Sequence, residues 1–192
     1  FSGGSGPHGI RAEGGAAIGG IIAVLPDLQG FLTGSVLSGS RLAPGTWSGA
    51  YLCWGLENRE ASVRFLNEGK SNPHGANVEV KIVDPSSNVY LASAAILALA
   101  LDGIRNGITL PPEIPGDPAR LSDDERRRAN VRLLANSPAA IIDTLDTSRL
   151  ARGLLGDAIV DATVAVRRYE QRISADLPPD ELANRFRLAW SI

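Results

Sequence analysis

The chain has 192 residues, 44% of them hydrophobic and 21% charged, a balance that suits a soluble globular fold of one domain or a large piece of one. Its formal net charge of −2 excludes the broad basic field that draws proteins to nucleic acid or to anionic membrane surfaces. A single cysteine, Cys53, excludes an intrachain disulfide and a thiolate metal cluster, and it fits a reducing, cytoplasmic setting.

In chain order, Phe1 to Gly9 reads as a flexible loop of Gly and Ser. Its glycines lack the Lys-Ser/Thr ending of a phosphate-binding loop. His8 reads as an exposed loop histidine with no partner at ligand spacing. From Glu13 to Leu32, Ala16, Ile18, Ile21, Ile22 and Leu25 predict a helix packed closely on a neighbour. Pro26 is expected to end or kink it, with a second helical stretch running to Leu32.

Tyr51 to Trp54, Ala61 to Leu66 and Asn77 to Val83 are short and β-prone. In the last, Val78, Val80 and Ile82 alternate with Glu79 and Lys81, so one face is apolar and the other charged. Asn88 to Ile104 reads as one buried helix. Its strongly apolar part, Leu91 to Leu101, is shorter than the roughly 20 residues of a membrane span. Four prolines, Pro111, Pro112, Pro115 and Pro118, make an extended connector. Ser122 and Glu125 have capping-box spacing. Ser137 to Leu145, Asp157 to Ile173 and Glu181 to Trp190 complete the helices. The order predicts an α+β arrangement of an antiparallel sheet with packed helices. The chain has no methionine and begins at Phe1, so it reads as a piece of a longer protein.

Arg41, Arg59, Arg64, Glu79 and Lys81 fall within one short span of sequence. Guanidinium forks hold phosphates and carboxylates bidentately, and a carboxylate among them suits a hard divalent cation. These residues therefore suggest a site for an anionic substrate, phosphates and a metal. A salt-bridged outer sheet face is the alternative that spacing alone leaves open.

Four stretches, in order, carry a resemblance. Arg41-Leu42-Ala43-Pro44-Gly45 resembles the arginine-leucine-valine-proline-glycine motif of glutamine synthetases. Glu57-Asn58-Arg59-Glu60-Ala61-Ser62-Val63-Arg64 is similar to that family's asparagine-arginine-x-x-x-x-arginine strand. Val78-Glu79-Val80-Lys81 resembles its metal strand, and Asp84 to Ala92 resembles the start of its asparagine-proline-tyrosine-leucine helix. The likeness covers most of the chain.

The resemblance implies an ATP-dependent ligase that forms a γ-glutamyl amide through γ-glutamyl phosphate, using ATP and Mg2+ or Mn2+. By the same implication, Arg41 holds the glutamate α-carboxylate, Arg59 grips the transferred phosphoryl group, and Arg64 contacts nucleotide phosphates. Glu79 would ligate the divalent ion. Lys81 stands where the family has arginine, a charge without the fork. Trp47 stands where glutamine synthetases carry a glutamate on a flap that closes the site and helps deprotonate ammonium. Its indole suits an amine with a carbon chain, and simple packing is the other reading.

The family also implies a β-grasp domain and further metal ligands upstream of Phe1, and assembly into a homo-oligomeric ring. The chain is then the C-terminal portion, residues 1–192, of a glutamine-synthetase-like catalytic domain. Its partners would be glutamate and an amine or ammonia, with no nucleic acid and no membrane. Three readings stand: a glutamate–amine ligase of the γ-glutamylpolyamine synthetase type, an ammonia-using glutamine synthetase, and a catalytically inactive scaffold of the same family.

Overall fold

A computed structural model describes residues 1–70 and 72–187. Helix α1, Ala12–Leu32, continues without interruption through Pro26. The expected break does not occur. A mid-helix proline costs about 3 kcal/mol, whereas Leu25, Leu28, Phe31 and Leu32 around it are almost fully buried and contribute about 1.5–3 kcal/mol each. By length and composition α1 matches a membrane span, but 67% of that window is buried inside the protein, where it serves as the central core helix.

Helix α2, Val89–Arg105, crosses α1 at a pair of glycines. A Cβ on Gly20 would sit 2.4 Å from the Gly103 Cα. Asn88 caps α2, its side chain accepting the Tyr90 and Leu91 N–H groups. Only the face of Ala92, Ala95, Leu99 and Gly103 is buried. Tyr90 is 83% exposed and Leu97 62%, which corrects the expectation of a fully buried helix. α2 is apolar on every side, so its periodicity could not reveal that a neighbour covers one side alone.

Strands β1 (Tyr51–Leu56), β2 (Ala61–Leu66), β3 (Asn77–Val80) and β4 (Arg132–Leu133) form one sheet in the order β3-β2-β1-β4. The α+β class is as expected. The β2–β3 and β1–β4 pairs are antiparallel, but β1 and β2 run parallel. Parallel neighbours normally need a long crossover, yet here residues 57–60 suffice. Glu57 N–H donates to the Phe65 carbonyl at one end, and Tyr51 N–H donates to the Glu60 carbonyl at the other. Asn58 holds the return in place: its amide donates to the Ile114 and Gly116 carbonyls, and its oxygen accepts the Glu60 and Ala61 N–H groups.

The proline connector lies along β1, where Trp54 Nε1–H donates to the Pro111 carbonyl at 2.7 Å. Helix α3, Asp123–Arg128, starts with the capping box that Ser122 and Glu125 predict. Helices α4 (Pro138–Thr147), α5 (Arg149–Leu155) and α6 (Asp157–Ser174) pack beneath α1 and α2. α5 was not anticipated; Ser148 ends α4 and caps α5 at once, accepting the Ala151 N–H. The last helix, α7, is Pro179–Phe186, and the predicted extension to Trp190 lies outside the described residues.

Candidate functional site

The β2–β3 register sets Arg64 directly opposite Glu79. Cross-strand partners on one face have close Cβ atoms, and their side chains meet: Arg64 Nη1 lies 3.4 Å from Glu79 Oε2. Arg64 Nη2 pairs with Glu57, whose positive φ of 52° marks the turn out of β1. The bond to Glu57 outweighs partial burial and keeps the Arg64 pKa above its ordinary value, so the guanidinium stays charged. Lys81, just past β3, reaches to 3.9 Å from Glu79 Oε1. Arg64, Glu79 and Lys81 are thus brought together, with Glu57 as a fourth member.

Residues 44–47 form a tight turn after the arginine-leucine-alanine-proline-glycine stretch. Trp47 sits at φ 56° and is 63% exposed. The Arg59 guanidinium carbon lies 5.3 Å from the centre of its ring, a cation–π distance. Glu60, only 6% exposed, accepts the Gly45 N–H at 3.0 Å and the Trp47 N–H at 2.9 Å. The turn abuts the charged cluster, since a Cβ on Gly49 would fall 2.7 Å from the Lys81 Cβ.

Arg41 lies at the far end of β3. Its Nη2 donates to the Ile82 carbonyl at 2.9 Å and the Val83 carbonyl at 3.3 Å, and its Nε is 3.7 Å from Asp84 Oδ2. Burial alone would raise the Asp84 pKa, but the Ser86 and Ser38 hydrogen bonds and the Arg41 charge together hold it below the ordinary carboxylate value. Among the described residues no ion pair joins the Arg41, Trp47–Arg59 and Arg64–Glu79–Lys81 groups. Arg41 and the Trp47 turn both lie beside the residues that follow β3. Cavities of about 470 Å³, between residues 5–16 and 104–110, and about 580 Å³, between residues 112–129, include none of them.

Residues 1–183 match the glutamine synthetase catalytic domain. The chain belongs to that family. It is 35% identical over 187 residues to the gamma-glutamylpolyamine synthetase of Streptomyces coelicolor, covering 97% of this chain and 40% of that protein. It is 33% identical over 165 residues to a glutamine synthetase of Streptomyces filamentosus, covering 84% of this chain and 34% of the relative. A solved structure described as a novel glutamine synthase homolog superposes with a TM-score of 0.77 at 26% identity, covering 96% of this chain and 40% of that one. The chain therefore spans about two fifths of the length of the relatives it matches.

Glutamine synthetases use a nucleotide and a divalent metal, and the two fit this chain differently. Arg59, Arg64 and Lys81 offer cationic groups with the chemistry that phosphate oxygens require. A metal ion is another matter. Among the described residues no three His, Cys, Asp or Glu side chains lie close enough to hold one. Glu79 offers its oxygens beside Glu57, but the ligand set is incomplete among the described residues.

Sequence reasoning missed three contributors. Glu57 and Glu60 stand on either side of the singled-out Asn58-Arg59 pair; the partner of Glu57 and the burial and partners of Glu60 reveal their roles. His8 is exposed as expected but does have a partner: Nε2 lies 2.7 Å from Glu113, whose other oxygen accepts the Leu56 N–H. Its ring stacks on Phe65 with centroids 6.4 Å apart. His8 and Glu113 are 105 residues apart, and no local signal connects them.

Proposed function

We propose that this chain is the C-terminal portion of the catalytic domain of an ATP-dependent glutamate–amine ligase that accepts an organic amine. The observation that carries this reading is the exposed Trp47 indole, in the turn where a carboxylate would favour a bare ammonium ion. An indole face offers a primary or polyamine both an apolar wall and an attraction of about 0.5–2 kcal/mol for its cation. The similarity to a gamma-glutamylpolyamine synthetase supports it.

In this reading Arg41 holds the α-carboxylate of glutamate, whose γ-carboxylate attacks ATP. That step releases ADP and gives γ-glutamyl phosphate, whose acyl carbon the amine then attacks, forming the amide as phosphate leaves and the amine nitrogen gives up a proton. Arg59 and Arg64 stabilise the negative charge on the transferring phosphoryl group. Glu79 serves as a metal ligand only when groups from elsewhere complete the set, so no step here is assigned to the metal. A homo-oligomeric ring in the cytoplasm belongs to the same proposal.

The decisive experiment measures phosphate release by the full-length protein with glutamate, ATP and either ammonium, putrescine, spermine or ethanolamine. Faster turnover with an organic amine is the expected result. Ammonium outpacing all three amines would return the protein to ordinary glutamine synthesis. One observation favours an inactive scaffold instead: Glu57 and Glu79 already neutralise Arg64. That reading requires no turnover with any amine and no metal-dependent ATP binding.

A further inference from the structure

Glu60 is a buried carboxylate that the proposed mechanism does not use. Burying an ionised carboxylate is costly unless its oxygens are well partnered. Both are partnered by a single turn: Oε2 accepts the Gly45 N–H and Oε1 the Trp47 N–H. Trp47 holds a left-handed backbone, φ 56°, which bulky residues rarely adopt and which stores on the order of 1–3 kcal/mol. Its side chain is mostly exposed, so packing cannot hold that strain. The bonds to Glu60 can.

Glu60 also follows Arg59 directly in sequence, and its own backbone N–H is fixed by Asn58. One side chain therefore sets the turn that carries the indole in register with the segment that carries the guanidinium stacked on it.

We propose that Glu60 is a positioning residue for the amine site: its carboxylate clasps residues 45–47 and holds the Trp47 indole against Arg59. The amine role rests on the organic-amine reading above; the clasp itself does not.

The test compares wild type, E60Q and E60D in the full-length protein. The amide introduced by E60Q puts an NH2 donor where one of the two oxygens stands, so one of the two N–H groups faces a donor instead of an acceptor, while the carboxylate of E60D sits on a stem one methylene shorter. Amide hydrogen exchange at Gly45 and Trp47 is expected to speed up by about tenfold or more in E60Q. The KM for the preferred amine should rise by a similar factor while ATP affinity stays within about twofold. E60D should fall between. Unchanged exchange in E60Q would overturn the clasp. Faster exchange with an unchanged amine KM would overturn its link to the amine site, as would equal losses for amine and ATP. The exchange readout needs no turnover, so a protein that used ammonia alone would defeat the organic-amine reading while leaving the clasp to be judged by exchange.

Discussion

The guanidinium of Arg64 is held by Glu57 and Glu79, so in the proposed reading a phosphate would compete with two carboxylates for it. Arg41 is engaged in a similar way, with its Nη2 bonded to the Ile82 and Val83 carbonyls and its Nε facing Asp84. Asp84 gives this contact a pH signature. Burial pushes its pKa up, but the Ser86 and Ser38 bonds and the Arg41 charge outweigh burial and lower the folded value from the ordinary 3.8. A depressed carboxylate stabilises the fold above its unfolded pKa, and that stability is lost as pH falls through the folded value. The stability gap between wild type and Asp84→Asn, followed by urea unfolding from pH 6 to 3, should therefore stay constant down to about pH 4 and then close. A gap that widened on acidification would remove Asp84 from this role. Cys53 gives a second check. Burial pushes its thiol up to about 12, so iodoacetamide at pH 8 should leave the native protein unlabelled and modify it once urea exposes the chain. At this scale the residue types were legible from sequence, since forked cations beside a carboxylate announce anion chemistry. Their pairings were not: Glu57 and Glu60 differ from any surface glutamate only in what the fold brings to them.

Among the elements, those with strictly local causes could be read directly. The capping box of α3, the Asn88 start of α2 and the proline connector depend on residues a few positions apart. The misreadings share a non-local cause. Burial overrode the break at Pro26, and Asn58 made a short parallel return possible by reaching across to Ile114 and Gly116. The α1–α2 crossing lies between these cases. The glycines of α1 predicted close packing, but not that Gly103 would be the partner. At Gly20 the added Cβ meets backbone, the Gly103 Cα at 2.4 Å and the Leu99 carbonyl at 2.6 Å, and neither can swing aside. Gly20→Ala should therefore destabilise by about 1–3 kcal/mol or more, seen as a lower urea midpoint. Gly153 in α5 is the control, because nothing lies within 4 Å of its Cβ position. Gly153→Ala should be neutral or stabilising by up to about 1 kcal/mol. Equal effects at the two positions would mean that the helices are not held at the crossing by contact of their backbones.

For the whole molecule, the question is whether this chain holds enough of a site to act. In the proposed reading Arg59, Arg64 and Lys81 receive phosphates, but the acids of the described residues do not form a ligand set for an accompanying ion. A divalent cation such as Mg2+ takes about six oxygen ligands and keeps water where protein groups are lacking. Among the described residues, no cluster of three ligating side chains exists to compete with that hydration. Two apolar surfaces are also left uncovered, along α2 at Tyr90, Leu97 and Leu101 and along α6 at Ile159, Val166 and Tyr169. Single exposed apolar residues are unremarkable, but rows along two helices are features of surfaces that meet other protein. The 192-residue chain on its own should therefore fold around the α1 core yet show no ATP hydrolysis dependent on glutamate and an amine, whichever divalent metal is supplied. Phosphate release above the rate without glutamate would show that Arg59, Arg64 and Glu79 assemble a working site unaided, and would reverse the conclusion that the ligand set must be completed from outside these residues.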